Sequence, residues 1–192
     1  MKNKLGLVMV LGASLVSVML ASCGSTLTHP LNDNIKRYDV RLQVKGSPKT
    51  LEIEERGNTK CDNHPGNPKE KFGCINVAQG DQAVITFDLK TGSWHMDEMK
   101  ICKGATKETQ DCNLSEAERQ EFAVMELGGV SRYHPSSSGV IDFGQIPRRV
   151  MDFKLIDLNT IAGDYFYSLK ACNNGNTECV ETDPPIRNGG KQ

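Results

Sequence analysis

The chain has 192 residues, and its 23 lysine and arginine side chains nearly balance 24 aspartates and glutamates, for a formal net charge of −1. The charges of both signs are interspersed, which excludes the basic stripe of a nucleic-acid-binding protein and the polybasic patch of a membrane-surface protein. A chain of this length suits one domain, which would bury about 70% of its unfolded surface.

The N-terminal segment, residues 1–22, is predicted to be a signal peptide for export. Met1–Lys4 carries two lysines, and Leu5–Leu20 behind it carries no charge. A short basic start, an apolar run and small residues before a cut site are typical of such a segment. A transmembrane helix is the alternative, and it is disfavoured because the run is shorter than the about 20 apolar residues of a span.

A cysteine closes the signal region. Leu20-Ala21-Ser22-Cys23 resembles the lipobox of bacterial lipoproteins. The resemblance implies that Cys23 becomes the mature N-terminus and carries a thioether-linked diacylglycerol, usually with a further acyl chain such as palmitate on its amine. Two or more acyl chains hold a protein firmly on a membrane. The alternative is ordinary cleavage near Ala21, which would leave Cys23 free.

The resemblance also implies a location in a bacterial cell envelope, lipid-anchored and facing the periplasm or the cell surface. Gly24 stands where an aspartate often retains Gram-negative lipoproteins in the inner membrane, so the outer membrane is expected. Residues 23–36 are polar and are predicted to be a flexible tether with an average span of roughly 20 Å.

Residues 37–184 are predicted to form one β-domain. Apolar residues from Tyr38 to Val44 alternate with polar ones, as in a strand with one buried face. Turn signals separate similar segments at the spacing of sandwiches and barrels. The predicted strands are 37–44, 51–55, 74–79, 82–89, 94–102, 122–127, 140–144, 150–158 and 164–172.

One short helix is predicted within 114–122, because Ser115 stands three residues before Glu118, which is the spacing of a capping box. The tail, residues 185–192, is predicted to be irregular, since it is rich in proline and glycine.

Six cysteines follow Cys23, and an even count behind an export signal indicates disulfides. Six cysteines allow 15 connectivities. The spacing favours neighbours, because each close pair brackets a turn-rich insert and could staple two strands. A zinc site is the alternative, and it is disfavoured because no C-x2-C pair and no histidine at ligand spacing are present. The expected pairs are Cys61–Cys74, Cys102–Cys112 and Cys172–Cys179.

The segment "AGDYFYSLKAC", residues 162–172, resembles the strand of immunoglobulin-like bacterial sandwiches that follows a Gly-Asp turn. The resemblance implies an antiparallel, immunoglobulin-like β-sandwich. It also implies that Tyr165 forms a tyrosine corner, with its hydroxyl bonded to nearby backbone. The chain departs from antibody domains because Cys172 is expected to pair locally and not between the sheets.

Few residues suggest nucleophilic catalysis. The sequence has no G-x-S-x-G elbow and no Walker-type phosphate loop. His134 stands near three serines, at 136–138, with Asp142 behind them. A flexible loop is the simpler interpretation of this run, because a triad is recognised by geometry and not by proximity in sequence.

Metal binding also has little support. His95 and Asp97 would share one face of a strand, but a third ligand would have to come from a distant segment. A wet strand face, with Trp94 and Met96 turned inward, explains the pattern better. We therefore expect no catalytic residues, no metal and no cofactor, and we predict that the chain is not an enzyme.

Two loops are candidates for recognition, because loops carry function on rigid scaffolds. They are 61–74 and 128–139, and the candidate binding residues are Arg132, Tyr133 and His134. Arginine and tyrosine are enriched in binding hot spots. The alternative is that both are solvated loops without a partner.

The predicted function is that of a membrane-anchored, non-enzymatic lipoprotein that binds an envelope protein or serves as an accessory subunit of an assembly. One alternative is a periplasmic inhibitor or immunity lipoprotein against a toxin or a wall-degrading enzyme. A second alternative is a hydrolase or metal-dependent enzyme that uses His95, Asp97 or His134. The membrane and a protein are the expected partners, and nucleic acid is not.

Overall fold

The computed structural model describes residues 35–54, 74–78, 80–104, 109–127, 131–146, 149–182 and 185–188. The predicted signal peptide, Cys23, most of the tether and Cys61 lie outside these ranges. The described strands are β1 (Ile35–Lys45), β2 (Thr50–Glu54), β3 (Ile75–Val77), β4 (Gln82–Leu89), β5 (Trp94–Lys103), β6 (Phe122–Glu126), β7 (Arg132–Tyr133), β8 (Val140–Asp142), β9 (Asp152–Asp157), β10 (Gly163–Asn173), β11 (Cys179–Thr182) and β12 (Pro185–Asn188).

The strands form two sheets of six. The first sheet has the order β2-β1-β4-β9-β6-β7, and the second has the order β3-β12-β10-β5-β8, with β11 also paired to β10. The predicted all-β class is confirmed. The prediction of wholly antiparallel sheets is wrong, because β1 pairs with β4 and β12 pairs with β3 in parallel. Parallel neighbours need a long crossover, and here the chain passes through other strands before it returns.

All nine predicted segments contain a strand. Three short strands, β7, β11 and β12, were not predicted. Residues 185–188, assigned from the sequence to an irregular tail, form β12 along β10, where Ile186 is fully buried. A four-residue strand with a proline at its start carries almost no periodicity, so its pairing decides its structure.

The core lies between the sheets and follows the period-two pattern. β1 turns its even-numbered residues from Tyr38 to Val44 inward, and β10 turns Tyr165, Tyr167, Leu169 and Ala171 inward. Phe87 of the first sheet stacks on Phe153 of the same sheet and meets Tyr167 of the second sheet edge-on. Aromatic contacts therefore join the two layers at the centre of the domain.

One α-helix, α1 (Glu116–Glu121), lies in the described part of the chain, inside the predicted 114–122 segment. The capping box is confirmed, because the Ser115 hydroxyl accepts from the Glu118 N–H and the Ser115 N–H donates to the Glu118 carboxylate. No helix among the described residues is long and apolar enough to cross a membrane.

The local pairing of cysteines is confirmed for two disulfides, Cys102–Cys112 and Cys172–Cys179. Cys74 is also disulfide-bonded. Its predicted partner, Cys61, lies outside the described residues, so the Cys61–Cys74 pair stays a prediction.

Candidate functional site

The three residues proposed for binding lie at the edge of the first sheet. Arg132 and Tyr133 form β7, which pairs with β6. Arg132 is exposed, while Tyr133 packs against the core. Nδ1 of His134 lies 2.8 Å from the carbonyl oxygen of Phe122, where α1 passes into β6. Two of the three side chains therefore support the sheet edge, and only Arg132 is open to solvent.

The serines near His134 are also engaged with each other and with the backbone. Oγ of Ser136 lies 3.0 Å from Oγ of Ser138, and it accepts a hydrogen bond from the Val140 N–H at 3.1 Å. The His134 ring uses Nδ1 on a backbone carbonyl. These side chains lie in one turn. The hydrogen bonds within it do not pair any of the three serines with His134 as a general base.

Metal-ligating side chains do not converge in the described part of the chain. No three side chains of the types histidine, cysteine, aspartate and glutamate are grouped there so that they could hold a metal ion. His95 and Asp97 lie on the same strand, as the sequence predicted, but Asp97 accepts a hydrogen bond from Nζ of Lys170 at 2.6 Å. Asp97 is therefore paired with a lysine on the outer face of the second sheet.

Polar groups close the end of the sandwich at which β1 begins, which we call the tether end. Ile35 of β1 lies beside Gln82, and Ala83 lies beside Asp157 at the end of β9. The side-chain amide of Asn159 donates to two carbonyl oxygens in the turn before β4, at 2.6 Å and 2.9 Å. These bonds fix the β3–β4 turn against the β9–β10 turn.

A buried glutamate contributes to the same end. Glu121 is 3% exposed. It accepts hydrogen bonds from the backbone N–H of Thr160, at 2.7 Å, and from the Thr160 hydroxyl. A buried carboxylate is tolerated only where such donors replace water.

Tyr165 does not form the tyrosine corner that the resemblance implied. Its side chain is fully buried, and its hydroxyl finds no hydrogen-bond partner in the part of the chain that the structure describes. Burial raises the pKa of Tyr165 strongly, and the carboxylates of Glu118, Glu121 and Asp157 add to the effect. The ring packs edge-on against Phe122 instead.

Glu118 ties α1 to the end of β5. Its carboxylate receives hydrogen bonds from Nζ of Lys103 at 2.6 Å and from the Ser115 N–H at 2.9 Å. The bond from Lys103, followed by that from the Ser115 backbone, lowers the pKa of Glu118 to about 2 from an ordinary value of 4.5. The carboxylate therefore stabilises the fold above about pH 4.5, and this contribution is lost as the pH falls towards 2.

We expect Glu118→Gln to flatten the dependence of stability on pH in that acid range. The wild type should lose about 2 kcal/mol of unfolding free energy between pH 5 and pH 2 through this group, since Lys103 is half exposed and screening weakens the pair. Urea unfolding at a series of pH values measures the difference. Glu52→Gln, on the exposed face of β2, is the control. Equal slopes for the wild type and Glu118→Gln would contradict the expectation.

A histidine and a disulfide share one row on the second sheet. In the register of the strands, Cys172 of β10 lies opposite His95 of β5 on one side and Cys179 of β11 on the other. Trp94 and Met96 point into the core, so His95 lies on the outer face. Opposed residues have Cβ atoms about 4.5–5.5 Å apart, so His95 and Cys172 are direct cross-strand neighbours on this face.

The two cysteines in this row differ sharply in their exposure to solvent. Cys172 is 2% exposed, whereas Cys179 is exposed to solvent. Nδ1 of His95 is buried and has no hydrogen-bond partner within the described ranges. Sequence reasoning named all three residues but did not place His95 with the cysteines, because only the strand register shows their proximity. A bulge in β5 beside Lys170 and Ala171 sets that register.

No protein-family model matches this sequence, and no curated protein matches it. Among solved structures, a multicopper oxidase, McoA, from the hyperthermophile Aquifex aeolicus is 14% identical over 83% of this chain and 31% of its own, with a TM-score of 0.37. A laccase from Botrytis aclada is 9% identical over 83% of this chain and 30% of its own, with a TM-score of 0.39. Reduced rusticyanin is 10% identical over 82% of this chain and 87% of its own, with a TM-score of 0.28.

The chain spans about a third of the length of the two oxidases. At TM-scores below 0.5 the likeness assigns no activity to this chain. The described residues also do not fit a copper centre of the blue type, which needs a cysteine thiolate and two histidines. All five described cysteines are disulfide-bonded, and no three donor side chains of the described residues group together.

The predicted function is not retained. A non-enzymatic module for protein binding or accessory assembly was expected, whereas the similar structures are described as multicopper oxidases, laccases and rusticyanin. The comparisons therefore give the prediction no support, and its weakness was physical. It treated the lack of a catalytic motif as a sign of recognition, and two of its three contact residues proved to be supports of a sheet edge.

Proposed function

We propose that this chain is an exported domain of a bacterial cell envelope, held at a membrane by lipid on Cys23. One observation carries the proposal: every cysteine that the structure describes is disulfide-bonded. Disulfides persist in oxidising compartments and are rare in the cytosol. Cys23 stands apart from these cysteines in sequence, directly behind the apolar run.

The fold supports an anchor at one end of the domain. β1 begins at Ile35, twelve residues after Cys23 (35 − 23), so the intervening chain reaches about 40 Å at most when fully extended. A lipid on Cys23 would therefore hold the domain near the membrane by its tether end.

Other parts of the proposal concern location and class. We place the domain on the outer membrane, as the resemblance of the signal region implied. We also keep the immunoglobulin-like sandwich as a proposal, supported by the inward aromatics of β10, although its parallel pairs depart from that pattern. The expectation that the chain is not an enzyme stays a prediction.

The test is the chemistry of the mature N-terminus. In its own bacterium, the wild-type chain should fractionate with membranes and yield an N-terminal peptide that begins at a lipid-modified Cys23, as read by mass spectrometry. Cys23→Ser should yield no lipid-modified peptide and lose its attachment. Ser25→Ala, two residues away, is the matched control and should behave as the wild type. An unmodified Cys23 in the wild-type protein would overturn the proposal.

A further inference from the structure

We propose that the Cys172–Cys179 disulfide is redox-active and exchanges with thiols of other molecules outside the cytoplasm. In this proposal Cys179 is the sulfur that is attacked, and His95 protonates the sulfur of Cys172 as it leaves. The row formed by His95, Cys172 and Cys179 carries the inference. It goes beyond the proposed anchor and does not depend on it.

The disulfide is not needed to hold its own hairpin. Next to it, Leu169, Lys170 and Ala171 of β10 pair with residues of β11. The loop has bonds of its own, because the Asn173 N–H donates to the Glu178 carbonyl at 2.9 Å. The Asn173 side chain also accepts from two backbone N–H groups of the loop, at 3.2 Å and 3.0 Å. A cross-link between residues that are already paired closes a short loop, so it removes less chain entropy than a disulfide that closes a long one.

The two sulfurs differ in access, which sets the direction of attack. A thiolate from solvent can approach the exposed residue, Cys179, whereas Cys172 is 2% exposed. The leaving group is then the buried sulfur. A thiolate left in a buried site is costly unless a charge or a proton donor lies beside it.

His95 supplies that donor. It lies directly opposite Cys172 in the β5–β10 register. Its Nδ1 is buried without a hydrogen-bond partner among the described residues, so none of these residues occupies it. An imidazole beside a cysteine stabilises the thiolate or returns a proton to it.

The exchange takes place in two steps. The incoming thiolate forms a bond to Sγ of Cys179, the Cys172–Cys179 bond breaks, and its electron pair stays on Sγ of Cys172, which takes a proton from His95. A second thiolate of the partner then attacks the partner's sulfur in the mixed disulfide. This step expels Cys179 as a thiolate, which takes a proton from solvent, and releases the partner as a disulfide. His95 also regains its proton from solvent. Two electrons pass from the partner to this chain.

The experiment uses the full-length chain, purified in detergent, with two thiol probes. Glutathione represents a small thiol, and a reduced, unfolded polypeptide with two cysteines represents a protein dithiol. Free thiols are alkylated at time points and located by mass spectrometry. The Cys102–Cys112 disulfide in the same molecule is the internal reference.

We expect Cys172–Cys179 to open at least about tenfold faster than Cys102–Cys112 with one or both probes. The trapped intermediate should carry the probe on Cys179 and the alkyl group on Cys172. The probe that reacts faster identifies the source of the thiol. Equal resistance of the two disulfides, or a probe found on Cys172, would overturn the proposal.

Two variants separate the role of the imidazole from packing. His95→Gln keeps a polar side chain but cannot donate a proton, so we expect its exchange to slow about tenfold relative to the reference disulfide. His134→Gln, at the edge of the other sheet, should leave that ratio unchanged. The circular dichroism and thermal midpoint of each variant show that it is folded. A ratio unaltered in His95→Gln would remove His95 from the step.

Discussion

Replacing Phe87 by alanine is expected to lower the free energy of unfolding by about 4 kcal/mol. Phe87 is fully buried. Its ring lies 4.8 Å from that of Phe153 and 5.2 Å from that of Tyr167. The substitution therefore removes contacts within the first sheet and between the sheets at once, and it leaves a cavity that rigid strands cannot close.

Equilibrium urea unfolding followed by circular dichroism measures the loss. Thr86→Ala is the matched control, because Thr86 is the next residue of β4 and lies on the opposite, partly exposed face. We expect it to cost less than about 1 kcal/mol. Equal losses for the two variants would show that Phe87 is not a contact between the layers.

Gly139→Ala is expected to destabilise the domain by about 3–5 kcal/mol, through strain and not through a cavity. Gly139 has a φ of +76°, which side chains other than glycine rarely adopt. An added Cβ would also lie 2.1 Å from the backbone oxygen of Ile101 in β5. That backbone is part of the central ladder of the second sheet, so it cannot move aside cheaply.

Gly92→Ala provides the comparison in the same measurement. Gly92 lies in the exposed β4–β5 turn, and nothing lies within 4 Å of its added Cβ. Its substitution should change stability by about 0.5 kcal/mol or less. If both variants unfold at the same urea concentration, the close backbone packing at Gly139 does not contribute to the free energy of unfolding.

The strands were predictable because each long one buries a single face. In β1 and β10 buried and more exposed side chains alternate along the strand, and the amino-acid sequence shows the same alternation of apolar and polar residues. The pairing of strands was not predictable in this way. Nothing in the residues of β1 distinguishes a parallel neighbour from an antiparallel one, so the β1–β4 pair appears only in the structure.

The candidate site shows the same division. The local disulfides followed from turn-rich inserts between close cysteines, and both described pairs agree. The position of His95 opposite Cys172 did not follow from the sequence. His95 is 77 residues away (172 − 95), and a one-residue change of register would place another residue opposite Cys172. Tyr165 shows the reverse case, since a local resemblance suggested a hydroxyl bond that the tertiary packing does not provide.

The parallel pairing of β12 with β3 has a consequence for the order in which the two sheets are completed. Ile186 lies beside Ile75, 111 residues earlier (186 − 75). A chain that emerges from its N-terminal side can assemble most of the first sheet before β12 has emerged. The edge of β3 must then wait with its backbone groups unpaired. Contacts so distant in sequence slow folding, so completion of the second sheet is a late step, and until then the waiting edge is open to pairing with other chains.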